Sequence, residues 1–391
     1  MADALIITTS IAVLLFVGVI CSWIGNKIKI PDVLLLILAG MLIGHYKERT
    51  ILEYPELFLS SLAILALAMI VFDSTARLRL KEFDTFSLKA ARLTFVFTIF
   101  ILALFTISVK YILNAPFWQS LLFSATMVGT SPEVVLSFKG KSRALTLLKL
   151  ESIFNTPLTV IIPFLVLELM QNVKGIFFVQ IIEQAVPFLM QFIVGIGTGV
   201  FVGIILFKVV QRTYTEVYSP LAVIIAALLS YVLAENLGGS GVIAVTALGL
   251  FFGNAYVKEK ITLLKAESVL AKALYIMVFI LTGVVIKIPY TKEFFITSGI
   301  LFAAYTIVRF LAVLTSVRGE RYSFNEKIYM AVSAPKGIAT ASVIFMLALQ
   351  PIEGIQTILN MTFAFILYSL VLASIATWLS SFSNENNHSR H

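Results

Sequence analysis

The amino-acid sequence predicts an all-α polytopic membrane protein of about 13 transmembrane helices, arranged as an inverted repeat with two crossed discontinuous helices. Three observations carry that expectation. The 391 residues are 59% hydrophobic and only 13% charged, with a mean hydropathy of +0.99, more apolar surface than a soluble chain of this length can bury. The apolar runs are long and do not alternate, which excludes the strands of a membrane barrel. Two matched runs are interrupted by proline and glycine beside a charge, at Gly129–Pro132 and at Ala334–Gly337.

Breaks at clusters of charge, proline and asparagine give candidate spans at 5–24, 32–45, 56–73, 90–112, 117–137, 147–169, 184–208, 218–234, 240–254, 268–287, 294–316, 327–350 and 356–381. The first run lacks the basic start and small-residue cleavage site of a signal peptide, so it is expected to be retained. Cys21, the sole cysteine, can form no internal disulfide. The odd-numbered connections hold about 20 Lys and Arg and the even-numbered ones about 6. Lys27, Arg77, Lys89, Arg143, Lys208 and Arg321 belong to the basic set. The positive-inside bias then places the N-terminus outside and the C-terminus in the cytoplasm of a plasma-membrane protein. The net charge of +8 is an orientation signal, and with no soluble domain to carry it a nucleic-acid partner is not expected.

One transmembrane domain is expected over 1–383, with repeats at approximately 1–170 and 218–381 joined by a linker helix at 184–208. The tail 384–391 reads as short, polar and disordered. Its histidines, His388 and His391, are too few to suggest a metal site. No G-x-x-x-x-G-K-[ST] pattern supports a nucleotide-driven pump, no cofactor is expected, and the chain reads as a transporter rather than an enzyme.

Ionisable residues deep in spans carry the functional information, since each costs about 2.5–3.5 kcal/mol on insertion scales. Glu133, Glu151, Arg309 and Lys336 stand out. Two acids pairing with two bases to pin helices together is the plain structural account. Asp32, Asp73 and Lys272 sit at span ends, where a helix-start or interfacial role is enough. "ATMVGTSPEVVLSF" and "AVSAPKGIATASVIF" place two charges, Glu133 and Lys336, in interrupted helices. Proline removes a backbone donor and glycine removes side-chain constraint, so both stretches are expected to unwind. They lie seven spans apart, an odd number, and so run in opposite directions. Paired broken helices of opposite orientation are an architecture of alternating-access transporters.

These residues resemble the NhaP-type sodium/proton antiporters of the monovalent cation/proton antiporter superfamily over nearly the whole chain. "KIPDVLLLILAGMLIG" looks like the family's second span and "FDSTARLRLKEF" like the end of its third. "GTSPEVV" resembles its Thr-Asp-Pro break, "ESIFNTP" its Glu-x-x-x-Asn-Asp-Pro, "VRFLAV" its Ala-Arg-Pro and "APKGIATA" its Pro-Arg-Gly. The resemblance implies antiport of Na⁺, or of K⁺ or Li⁺, against H⁺ by a homodimer in the bilayer. It also implies that Glu151 pairs with a base such as Arg309 or Lys336, and that Asn155 orients the ion site.

The sequence departs from that pattern at its chemistry. Ser131 and Thr156 stand where the family carries aspartates, and Lys336 where it carries arginine. Cation and proton exchange most simply by competing for one carboxylate, and hydroxyls ligate Na⁺ without titrating. Two acids against two bases, where the family pattern has three against two, disfavours a bound cation unless something compensates. Glu133 can compensate if the segment is extended, because residues two apart then point to one side. A Na⁺ site is accordingly expected at Glu133, Asn155 and Thr156, with Thr130 and Ser131 adding neutral oxygens. Lys336 is the second candidate, since a buried lysine can release its proton where arginine does not; compensation of a helix dipole is its structural alternative. Serine and threonine in lipid helices often bond their own preceding turn. Uncoupled transport, including anion transport on Arg309 and Lys336 or passive conduction, is the rival reading.

Overall fold

A computed structural model describes residues 2–28, 32–45, 56–76, 85–138, 142–172, 177–212, 218–255, 260–285, 289–348 and 350–388. The described residues are helical apart from short connections. In chain order the helices are α1 (Ala2–Ile28), α2 (Asp32–His45), α3 (Glu56–Ala76), α4 (Thr85–Phe100), α5 (Thr106–Leu113), α6 (Phe117–Thr126), α7 (Pro132–Ser137) and α8 (Arg143–Asn172). They continue as α9 (Phe177–Arg212), α10 (Tyr218–Asn236), α11 (Gly241–Asn254), α12 (Lys260–Val285), α13 (Lys292–Ser316), α14 (Phe324–Val332), α15 (Ile338–Ala348) and α16 (Ile355–His388). Among the described residues eight stretches are long and apolar enough to cross a bilayer, and further apolar helices are shorter. The chain is a multi-pass membrane protein.

Local sequence explains the starts and stops. Pro132 opens α7, a position where its missing N–H is harmless. Ser323 and Glu326 form a reciprocal capping box that starts α14. Ser240 and Thr291 cap α11 and α13 in the same way from one side. Helix α8 runs on through Pro157 and Pro163, as membrane helices tolerate when the helix is embedded. A π-helical turn, Ile101–Phe105, joins α4 to α5. Helix α16 ends at His388.

The chain divides into two compact units. One comprises Met1–Glu53, Asp84–Pro163 and Phe279–His391, the other Tyr54–Phe83 and Phe164–Val278. In the second unit α11 packs on α9, α10 and α3. Small residues let the backbones close up there: a Cβ on Gly199 would meet the carbonyl of Ala244. Asp73 accepts a hydrogen bond from Ser268 at 3.1 Å, and Lys272 lies 4.0 Å from the ring of Tyr275.

In the first unit α13 packs on α4, α14 and α16, while α6 and α15 both pack on α16. Asp32 opens α2 and accepts from Ser22 at 3.1 Å. An aromatic cluster of Phe97, Phe105, Phe123, Phe302, Tyr305 and Phe365 has ring centroids 5.3–6.1 Å apart in its tilted, stacked and edge contacts. This wall stands behind the charges described next.

Candidate functional site

The two sequence-predicted breaks meet within the first unit. Helix α6 ends at Thr126, with Met127 as its C-cap, and residues 128–131 are unwound before Pro132. Helix α14 ends at Val332, and residues 333–337 are unwound before α15. The backbone N–H of Ser131 donates to the carbonyl of Pro335 at 2.7 Å, tying one break to the other. On the far side, the N–H of Lys336 donates to Ser369 Oγ of α16 at 3.0 Å.

Unwinding frees carbonyls at the end of α6, and buried side chains take them up. Lys336 Nζ donates to the Met127 carbonyl at 2.6 Å and also to that of Gly129. Asn155 Nδ2 donates to the Val128 carbonyl at 2.9 Å. The ammonium therefore caps the negative end of α6, the dipole-compensating role expected of a cation there. It lies 4.7 Å from the ring of Tyr305 and 5.6 Å from that of Phe97. No carboxylate pairs with it among the described residues.

Glu151 instead pairs with Arg309. Arg309 Nη1 and Nη2 each donate to one carboxylate oxygen at 2.7 Å, and neither side chain has any solvent exposure. The planar fork makes this a bidentate pair, with the guanidinium 4.3 Å from the Phe97 ring. Among the described residues the fully buried charges are Glu151, Arg309 and Lys336. The pair is neutral, so Lys336, when protonated, is the unbalanced charge of these three.

Of the remaining predicted residues, Thr130, Ser131, Asn155 and Thr156 are all buried. Thr130 Oγ1 lies 3.5 Å from Asn155 Nδ2. The Thr156 and Thr159 hydroxyls donate to carbonyls of their own helix, those of Ser152 and Asn155, at 2.9 and 2.8 Å. They behave as lipid-helix hydroxyls do, although each oxygen keeps acceptor capacity. Asn155 Oδ1 is buried without a hydrogen-bond partner, as are Ser333 Oγ and Tyr305 Oη. An orphaned buried acceptor is unfavourable unless something visits it.

Glu133 needs a correction of geometry. Ser131 is extended, but α7 is helical from Pro132, because proline at the first position favours a helix start. Residues 131 and 133 are therefore not two places apart on an extended strand, and the shared-side argument does not apply. The Glu133 side chain lies outside the described residues.

Sequence reading missed the aromatic faces of Phe97 and Tyr305, the Ser369 hydroxyl and the orphaned Ser333. No local signal marks the aromatic pair, whose partners lie far along the chain. Gly129 was read only as a helix breaker, yet it has a packing role too: a Cβ there would overlap Cβ, Oγ1 and Cγ2 of Thr159. Gly129→Ala is expected to lower stability by about 1–3 kcal/mol, the usual range for overpacking. Thermal unfolding in detergent would read this, and combining it with Thr159→Gly should recover part of the loss.

Residues 11–379 match the family described as sodium/hydrogen exchanger, transmembrane. Na(+)/H(+) antiporter 1 of Methanocaldococcus jannaschii is 26% identical over 371 residues, covering 88% of this chain and 84% of that protein. K(+)/H(+) antiporter NhaP2 of Shewanella sp. (strain ANA-3) is 25% identical over 382 residues, which is 94% of this chain but only 65% of that longer protein. The chain thus spans just under two thirds of that relative. The solved structure of the sodium proton antiporter MjNhaP1 from M. jannaschii at pH 8 superimposes with a TM-score of 0.81 at 22% identity, covering 96% of this chain and 98% of that one. The two share a fold.

Proposed function

This chain belongs to the sodium/hydrogen exchanger family, and we propose that it exchanges a monovalent cation, Na⁺ in the first instance, for H⁺ across the plasma membrane by alternating access. The observation that carries the proposal is the lysine ammonium seated on carbonyls freed at the break, at Met127 and Gly129. Carbonyl oxygens are the ligands a hard cation takes. A protonated Lys336 and a bound cation therefore compete for the same oxygens. When Lys336 gives up its proton, the neutral amine no longer needs both carbonyls, and a cation can take them with Asn155 Oδ1.

The charge balance favours one-for-one exchange. The Glu151–Arg309 pair is neutral in either state, and the site holds one positive charge whether it carries ammonium or metal ion. Raising the pH withdraws the proton and so favours the cation; lowering it does the reverse. Glu133, in the first turn of α7, is proposed as the carboxylate that attracts the cation to the break. Thr130, Ser131 and Thr156 are proposed as neutral oxygens around it. The homodimer, the inverted relation of the two halves and a cytoplasmic C-terminus complete the proposed transporter.

The test is dissipation of a pH gradient in everted vesicles on adding NaCl, KCl or LiCl. Na⁺ is expected to give the largest response. Glu133→Gln is expected to raise the half-maximal Na⁺ concentration about tenfold or more, the weight of 1.4 kcal/mol. Full flux with unchanged half-saturation and pH dependence would remove Glu133 from the site. No cation-stimulated proton movement from any of the three salts would overturn the antiport reading.

A further inference from the structure

Away from the ion site, the first unit carries an open cavity of about 310 Å³ lined by Lys89, Arg143, Gly319, Glu320, Arg321 and Tyr322. Three separate stretches converge on it: the start of α4, the start of α8 and the turn between α13 and α14. Lys89 Nζ is 2.8 Å from Glu320 Oε2, so the one carboxylate in the lining among the described residues is neutralised by the lysine. Both arginines remain in excess, and both are exposed. The turn that presents Arg321 is tightly built. Gly319 has φ +84°, the Glu320 N–H donates to the Val317 carbonyl at 3.1 Å, and the Tyr322 N–H to that of Glu320 at 3.0 Å.

Orientation of the chain explains why loops are basic. It does not explain why two arginines from segments far apart in sequence line one concavity whose described carboxylate, Glu320, is already paired with Lys89. Guanidinium groups are the side chains best matched to phosphate oxygens, which they bind with planar forks. The cavity is open and has room for a phosphate group. Its level suits a lipid: apolar spans begin at Leu88 and Arg143 and one ends at Ser316, so the cavity opens at the membrane edge.

We propose that this cavity is a binding site for a phosphate-bearing anion, held between Arg143 and Arg321. Bound there, the anion braces the first turn of α8 against the α13–α14 turn. That helix carries Glu151 and Asn155, so occupancy stiffens the frame of the ion site without touching it. The proposal does not depend on which ion is exchanged.

The experiment is thermal unfolding of the full chain in neutral detergent–phosphatidylcholine micelles, with phosphatidylglycerol or inorganic phosphate added. Phosphatidylglycerol is expected to raise Tm, and R143Q/R321Q to lose at least half of that rise. K27Q/K208Q, which removes the same charge from exposed lysines elsewhere, is expected to keep it. Both variants are compared with their own Tm in phosphatidylcholine alone, so an altered baseline stability does not confound the reading. A rise with inorganic phosphate, lost in R143Q/R321Q, supports the same site with a soluble source. No rise with either addition overturns the proposal, as does an equal loss in the two variants.

Discussion

Lys336→Arg is expected to leave the protein folded while lowering cation-dependent proton flux by about a hundredfold or more, the lower bound for removing a group that carries the exchanged proton. Arginine retains the positive charge and donors for the Met127 and Gly129 carbonyls, but it does not release a proton in a protein. Lys336→Met separates charge from titration. It is expected to bind Na⁺ without the accompanying proton release, which calorimetry in buffers of different ionisation enthalpy would detect. Full flux with an unchanged pH profile in the Arg variant would reduce Lys336 to a helix cap. The double variant Ser131→Asp/Lys336→Arg recreates the acid and base of the related pattern and is expected to recover flux.

Glu151→Gln should destabilise the fold by about 3–5 kcal/mol, the range for stranding one partner of a buried ion pair. Arg309 has no solvent exposure, so it cannot recover hydration. The guanidinium and the Lys336 ammonium both face the Phe97 ring, at 4.3 and 5.6 Å; without Glu151, two cations would share that low-dielectric space. Replacing both members, as in Glu151→Leu/Arg309→Met, is expected to cost far less than either single change, because no unpaired charge remains. A double-mutant cycle on Tm in detergent measures the coupling. Additive effects would mean that the 2.7 Å bidentate geometry contributes little.

Much of the frame was readable because lipid imposes simple rules. The predicted span 32–45 coincides with α2 (Asp32–His45), where proline precedes and a charged cluster follows. Both breaks fell where proline and glycine put them, and Glu151 found one of its two expected partners. The π-helical turn at Ile101–Phe105 was not foreseeable, since "ILALF" contains nothing that disfavours ordinary helix. Division into two units was also hidden: hydropathy says which segments cross lipid but not which of them pack together. Sequence places hydroxyls, Ser131 and Thr156, beside the breaks, whereas the seat of Lys336 on two carbonyls depends on how the breaks meet in space.

The bond from the Ser131 N–H to the Pro335 carbonyl has a consequence for how such a site can change over time. It is made wholly of main chain, so every residue except proline can donate at 131, and every residue can accept at 335. This one bond thus places almost no demand on the side chains at 131 and 335. A change of side chain at position 131 or 335 therefore leaves this tie between the breaks available.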